Sequence, residues 1–324
     1  MSKKRDHGGG LDAAVAAFGG TREGWLDLST GINPVPYPVG RIGAEAWTAL
    51  PDQAAMDRLL SAARAFWSVP EGAGIVAANG ASALIAQMPA VVAQMQGTGA
   101  GHPAKDVSIP GPTYNEHAAA FRAQGWQVHP QGPASARVIV HPNNPDGRLG
   151  PDEEQAGVTI IDESFCDVTP EASYVGDTDP NRIILKSFGK FWGLAGLRLG
   201  FAICAPAVAA DLTDRLGPWA VAGPALEIGA RALEDHDWAE ATRARLAEDA
   251  ARLDGLLRRS GARVVGGTDL FRLYEVKDAA QAQTHLAEHH VWSRIFPYSR
   301  TWLRLGLPAP DRWDQLEAAL TGLR

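Results

Sequence analysis

The chain has 324 residues, with 30 Lys and Arg against 37 Asp and Glu, a formal net charge of -7. That balance argues against a nucleic-acid or anionic-membrane partner. Hydrophobic content of 45% and charged content of 21% are those of a soluble globular protein, long enough for one large and one smaller domain. Two cysteines, Cys166 and Cys204, argue against a disulfide framework and suit a reducing cytosol. The opening residues are basic but lack the apolar core of a secretory signal, and no run approaches the ~18 apolar residues of a membrane span. A cytoplasmic protein with no metal site is expected.

In chain order, His7-Gly-Gly-Gly10 precedes an Ala-rich helical pattern from Leu11 to Phe18. Pro34, Pro36 and Pro38 then impose an extended path. Residues 41–68 read as helical, with an amphipathic run around Met56 to Trp67. The stretch Gly74 to Met88 passes from a short strand through Gly80-Ala-Ser82 into a helix, and free N–H groups at such a helix start favour an anion. An apolar piece at Val107–Ile109 leads to Pro110-Gly-Pro-Thr-Tyr-Asn-Glu-His117. The strand Arg137–Val140 ends in His141-Pro-Asn-Asn-Pro-Asp-Gly-Arg148, whose Asn-Pro and Asp-Gly pairs are turn chemistry. Val158–Ile161 is a buried-strand run closing on Asp162, and the carboxyl end of a parallel strand is where open α/β sheets bind ligands. Glu163 and Asp167 read as solvated or capping residues.

A second pair of apolar runs, Arg182–Leu185 and Phe201–Cys204, brackets Lys186-Ser-Phe-Gly-Lys190-Phe-Trp-Gly-Leu-Ala-Gly-Leu-Arg198-Leu-Gly200. Glycine allows tight turns and close approach of the backbone to a ligand. A lysine there can condense with an aldehyde. Lys186 reads as a bystander. After Cys204 the pattern is helical through Arg259, interrupted at Leu216–Pro224, with one long helix over roughly 224–259. Short strands follow at Ala262–Val265, Leu270–Val276, Val291–Ile295 and Trp302–Gly306, an α+β layer.

The spacing Ser187-x-x-Lys190, followed eight residues later by Arg198, resembles the fold-type I pyridoxal phosphate enzymes of the aspartate aminotransferase superfamily. Gly80-Ala-Ser82, Tyr114, Asn144, Asp162 and Arg304 occur in that superfamily's order. The resemblance implies an α/β fold: a mostly parallel sheet with helices on both faces, plus a smaller α+β C-terminal domain. It implies that Lys190 holds the cofactor covalently, while Ser187, Arg198, Gly80, Ala81 and Ser82 hold its phosphate. Tyr114 would stack on the pyridine, as offset aromatic faces do. Asn144 would reach its 3'-oxygen, Asp162 would keep the ring nitrogen protonated, and His117 would buttress that aspartate. Phe165 stands where the superfamily often has a second 3'-oxygen donor, Tyr, so more rests on Asn144.

His7-Gly8-Gly9, with Asp27-Leu-Ser-Thr-Gly-Ile-Asn33-Pro34 and Asn-Asn-Pro-Asp-Gly-Arg148, is similar to the threonine-phosphate decarboxylase-like subgroup of cobalamin biosynthesis. That similarity implies decarboxylation of L-threonine O-3-phosphate to (R)-1-amino-2-propanol O-2-phosphate by a homodimer. His7, Gly8 and Asn33 on an N-terminal arm, with Arg294 and Arg304, would then bind the substrate. Guanidinium suits carboxylate and phosphate through paired planar hydrogen bonds, with Arg272 and Arg300 as rival positions. A histidinol-phosphate-type aminotransferase and a non-catalytic protein retaining the fold stand as alternatives. The expected domains are an arm at 1–38, a large domain at 39–218 and a small one at 219–324. Only 18 positions separate Asn144 from Asp162, so a truncated helix or a loop is expected over 147–157.

Overall fold

In the computed structural model, the structure describes residues 7–97, 105–150, 156–177 and 179–323. They form two compact units. The larger holds Tyr37–Asn144 and Leu149–Ala239; the smaller holds the residues up to Pro36, Pro145–Arg148 and the chain from Glu240 onward.

Before the larger unit come α1 (Leu11–Phe18) and β1 (Leu26–Asp27). The larger unit then runs through α2 (Glu45–Thr48), α3 (Gln53–Phe66), β2 (Gly74–Ala78), α4 (Ala81–Met95), β3 (Asp106–Ser108), α5 (Asn115–Ala123) and β4 (Gln127–His129). It continues with β5 (Ala136–Val140), β6 (Val158–Asp162), β7 (Arg182–Ser187), β8 (Gly200–Cys204), α6 (Pro206–Leu216) and α7 (Gly223–Glu234). Its seven strands lie in the order β2-β8-β7-β6-β5-β3-β4, with β8 antiparallel to both its neighbours and every other pairing parallel. Every residue of β5 and β8 is buried, the pattern of strands covered on both faces. Ile85, Met88 and Val92 of α4 and Phe121 of α5 pack with Val107, Ile160 and Leu185 of the sheet in one core cluster. This mostly parallel α/β sheet matches the expectation. It puts the ends of β5, β6 and β7, with the loops after them, at the carboxyl edge where ligands bind.

The smaller unit holds most of α8 (His236–Arg259), then β9 (Arg263–Thr268), β10 (Phe271–Glu275), α9 (Ala279–Glu288), β11 (Val291–Trp292), β12 (Arg294–Phe296), β13 (Ser299–Gly306) and α10 (Trp313–Leu320). Four strands form an antiparallel sheet in the order β12-β13-β10-β9, and β1 pairs in parallel with β11. Phe18, Trp25 and Trp292 meet edge-on or tilted at 6.3–6.5 Å between ring centroids, seating α1 on this unit.

Three expectations need correction. The boundary at 218/219 falls inside the larger unit, which extends to Ala239, and the arm clusters with the smaller unit instead of standing apart. The single helix over 224–259 is two helices. Asp235 leaves the helical conformation, and its Oδ1 accepts from Trp238 N at 3.0 Å, capping the start of α8. Part of the expected truncation, 151–155, lies outside the described residues. Among those described, 144–150 and 156–157 are turn or irregular. Pro145–Arg148 joins the smaller unit, where Gly267 N donates to Asp146 O at 2.8 Å. A Cβ on Gly147 would lie 1.9 Å from Gly267 O, and one on Gly266 would lie 2.1 Å from Asp146 O. Two backbones touch directly there, and only glycine permits it.

Candidate active site

At the start of α4, Gly80 has φ 95° and places the unpaired N–H groups of the first turn at the helix end. A Cβ on Gly80 would lie 2.6 Å from the guanidinium of Arg198, and one on Gly200 would lie 2.3 Å from Ala81 N. The first turn of α4, Arg198 and the beginning of β8 are therefore packed with no room for side-chain carbon. Arg198 adopts φ 54°, and its guanidinium donates to Ala195 O at 3.2 Å. This left-handed backbone at a non-glycine residue costs of order 1–3 kcal/mol, held by surrounding structure and characteristic of ligand clamps. A cation beside a helix N-terminus is an anion cup, with Ser82 exposed and Ser187 half-buried in the same unit.

Asp162 ends β6 and is 2% exposed. His117 Nε2 lies 2.7 Å from its Oδ2, while Ser164 donates to Oδ1 from its backbone at 3.0 Å and from its hydroxyl at 2.5 Å. Burial alone would raise the carboxyl's pKa, but the His117 and Ser164 donors outweigh it and hold Asp162 below the ordinary carboxylate range. An ionised Asp162 makes His117 Nε2 the donor. His117 Nδ1 has no hydrogen-bond partner among the described residues. Tyr114, at the start of α5, is half-buried with its ring edge-on to His117 at 6.1 Å. Asn144 is half-buried just after β5. Its neighbour Asn143 ties two loops together: Nδ2 donates to Pro112 O at 3.0 Å, and Thr113 donates to Oδ1 at 2.6 Å. Lys190 is half-buried, its Nζ 5.6 Å from the centre of the Phe165 ring.

The cofactor implied by the resemblance needs an anion cup, a buried carboxylate facing a protonated ring nitrogen, and a lysine. The first two are built structures here: a cradle a Cβ would fill, and a carboxylate held charged while fully enclosed. Lys190 and Asn144 belong to the same unit. The donor set fits pyridoxal phosphate.

Sequence reasoning missed the support beneath this edge. Glu163 and Asp167 are not solvated, and Lys186 is not a bystander. All three are buried, with Lys186 Nζ 2.7 Å from Glu163 and 3.4 Å from Asp167. Glu163 also accepts from Ser173 Oγ and Tyr174 N at 2.6 Å, and Trp67 Nε1 donates to Asp167 at 3.0 Å. The signal was a lysine directly after the apolar run Ile183–Leu185, inside β7. Burial lowers the Lys186 pKa, but the Asp167 and Glu163 charges outweigh it and raise it. The stabilisation is therefore complete at neutral pH and is lost only as pH rises through that raised value. Lys186→Met strands two buried carboxylates, so chemical denaturation should show a loss of about 3–5 kcal/mol. A loss below 1 kcal/mol would show the charges to be solvated.

In the smaller unit, Arg294 of β12 stands directly opposite Arg304 of β13, so both side chains rise from one face of the sheet. Arg304 is 4% exposed and donates to Ser29 O at 2.6 Å. Burial first, then the Arg294 charge, pulls its pKa down to about 10. Two like charges in register repel, and an anion bound between them relieves both. Of the rivals, Arg272 is committed to Asp254 through bonds of 2.8 and 3.0 Å, and Arg300 is exposed. Asn33 is buried, and its Oδ1 accepts from Val35 N at 3.0 Å and from Arg245 at 2.6 Å. His7 is exposed. A Cβ on Gly8 would lie 2.4 Å from Ser29 O.

Sheet order, the cup at Gly80 and Arg198, and the buried Asp162 define a fold-type I pyridoxal phosphate enzyme: the chain belongs to the aminotransferase class I and II family, whose profile matches residues 136–322. It is 41% identical to a threonine-phosphate decarboxylase of Sinorhizobium sp, across 96% of this chain and 95% of that one. It is 35% identical to a threonine-phosphate decarboxylase of Pseudomonas aeruginosa, across 98% of each. Among solved structures, a histidinol-phosphate aminotransferase from Sinorhizobium meliloti in complex with pyridoxal-5'-phosphate matches with TM-score 0.81. It covers 97% of this chain and 94% of that one at 16% identity, a likeness of fold.

Proposed function

We propose that the chain is a pyridoxal-phosphate-dependent decarboxylase of L-threonine O-3-phosphate, producing (R)-1-amino-2-propanol O-2-phosphate for cobalamin biosynthesis. The observation that carries this reading is the 41% identity to a threonine-phosphate decarboxylase across 96% of this chain and 95% of that one. The paired arginines of the smaller unit support it, because the substrate carries a carboxylate and a phosphate.

Roles follow residue by residue. Lys190 would anchor the cofactor, with Ser187, Arg198 and the Gly80-Ala81-Ser82 turn holding its phosphate, Tyr114 its ring and Asn144 its 3'-oxygen. When bound, pyridoxal phosphate supplies an electron sink for the pair left on Cα as CO2 departs. Asp162, its own charge fixed by His117 and Ser164, would keep a proton on the ring nitrogen. Lys190 Nζ, freed once the substrate amine takes its place on the cofactor, would then be the group to deliver a proton to Cα after the carboxylate has left. Arg304 and Arg294, with His7, Gly8 and Asn33, would bind the substrate and its anionic groups.

The family includes aminotransferases, so the test is a product assay. Purified protein with pyridoxal phosphate and L-threonine phosphate should release CO2 with no keto-acid requirement. Keto-acid-dependent amino transfer without CO2 would make it an aminotransferase. Neither product, with no visible cofactor absorbance, would indicate a fold kept without catalysis. A cytoplasmic homodimer is the proposed setting, and light scattering of the purified protein checks the assembly. Among the described residues no helix is long and apolar enough to cross a membrane.

A further inference from the structure

Ser29 lies in a motif that the site roles above leave without a task, yet it is 1% exposed and fully engaged. Its hydroxyl donates to Asp27 Oδ1 at 2.6 Å and accepts from Gly9 N at 2.7 Å. Its backbone N also donates to Asp27 Oδ1 at 2.9 Å, which fixes the side chain in a tight local turn. Its carbonyl accepts from Arg304 at 2.6 Å, and the same oxygen is the atom that a Cβ on Gly8 would strike at 2.4 Å. The layer continues on both sides. Trp292 Nε1 donates to Gly9 O at 3.3 Å, Gly306 N donates to Leu28 O at 2.7 Å, and a Cβ on Gly306 would lie 2.2 Å from Thr30 O. One residue thus touches both the His7-Gly8-Gly9 segment and the buried Arg304. All of these partners belong to the smaller unit.

We infer that Ser29 is a positioning residue that locks the His7–Gly10 segment and Arg304 to a single peptide, fixing the distance between two anion-gripping groups. Resting on the decarboxylase reading, this makes Ser29 a determinant of substrate length. It favours an amino acid whose phosphate sits on the β-carbon oxygen over an isomer that carries it on the γ-carbon oxygen, one bond further from Cα. Without the hydroxyl, Gly9 N loses its acceptor and the segment comes off the Ser29 peptide, while the bond from Arg304 to the carbonyl remains. The two grips then no longer share one reference point.

The deciding measurement is hydrogen exchange of the peptide covering residues 7–18, in wild type, Ser29→Ala and Ser29→Thr. Exchange at the Gly9 amide should speed up about tenfold or more in Ser29→Ala and return toward wild type with the threonine hydroxyl. Gly8→Ala, which leaves Ser29 intact but forces the segment off its carbonyl, should reproduce the faster exchange. Unchanged exchange in both Ser29→Ala and Gly8→Ala overturns the inference, whatever the substrate proves to be. In the CO2 assay, KM for threonine phosphate should rise about tenfold in Ser29→Ala, with kcat changed less than about threefold. The preference over O-phospho-L-homoserine should fall. A drop in kcat at constant KM and constant preference would overturn the length-setting role. Failure of the wild type to release CO2 would sink the decarboxylase reading alone, since the exchange measurement stands apart from it.

Discussion

Lys190→Ala should abolish decarboxylation, by at least about 10^3-fold, and remove the visible absorbance that the wild type acquires with pyridoxal phosphate. The expectation rests on where Lys190 sits. It is half-buried in the turn after β7, its Nζ facing the Phe165 ring, in the unit that carries the anion cup and Asp162. The cup does not depend on the lysine, because Gly80, Gly200 and Arg198 are packed against one another. The variant should therefore still bind the cofactor, reversibly, as equilibrium dialysis can show. Retention of activity within tenfold would remove Lys190 from the mechanism.

Asp162→Asn should cost about 10^2–10^3-fold in kcat while leaving the fold intact, the scale of losing one preorganised electrostatic partner in a dry site. The amide keeps the shape and can still accept from Ser164, but it carries no charge to hold a proton on a ring nitrogen. The pH dependence follows from the sign of the shift. Asp162 is held below the ordinary carboxylate range, so its contribution to stability and to cofactor retention is complete above about pH 4 and is lost only as pH falls further. A pH–rate profile of the wild type should accordingly show no carboxylate limb between about pH 5 and 9. A limb in that window that disappears in Asp162→Asn would mean that burial, and not the His117 and Ser164 donors, governs this group.

Much of the larger unit could be read directly from the chain, because its chemistry sits at strand ends whose apolar runs are unmistakable. Asp162 closes Val158–Ile161, and Ser187 and Lys190 follow Arg182–Leu185. Burial of charge was harder to read. Lys186, Glu163 and Asp167 look like surface residues by type, and only packing on both faces of the sheet reveals them as an enclosed ion cluster. The break at Asp235 was local and present in the letters, since an aspartate three residues before Trp238 is cap chemistry, but helix propensity on both sides masked it. The link from Ser29 to Arg304 spans 275 positions, and nothing in the sequence pattern couples residues so far apart.

The pairing of β1 with β11 has a consequence for how the molecule is made. Leu26 and Asp27 emerge from the ribosome early, yet their partners Val291 and Trp292 are translated some 265 residues later. At about 5–20 residues per second, that is a wait of roughly 15–50 s. During it, the aromatic side chains of Phe18 and Trp25 have no surface on which to settle. The sheet of the larger unit can close while translation continues. The nascent N-terminus thus waits through most of synthesis for its partner strand, with its apolar side chains exposed in the meantime.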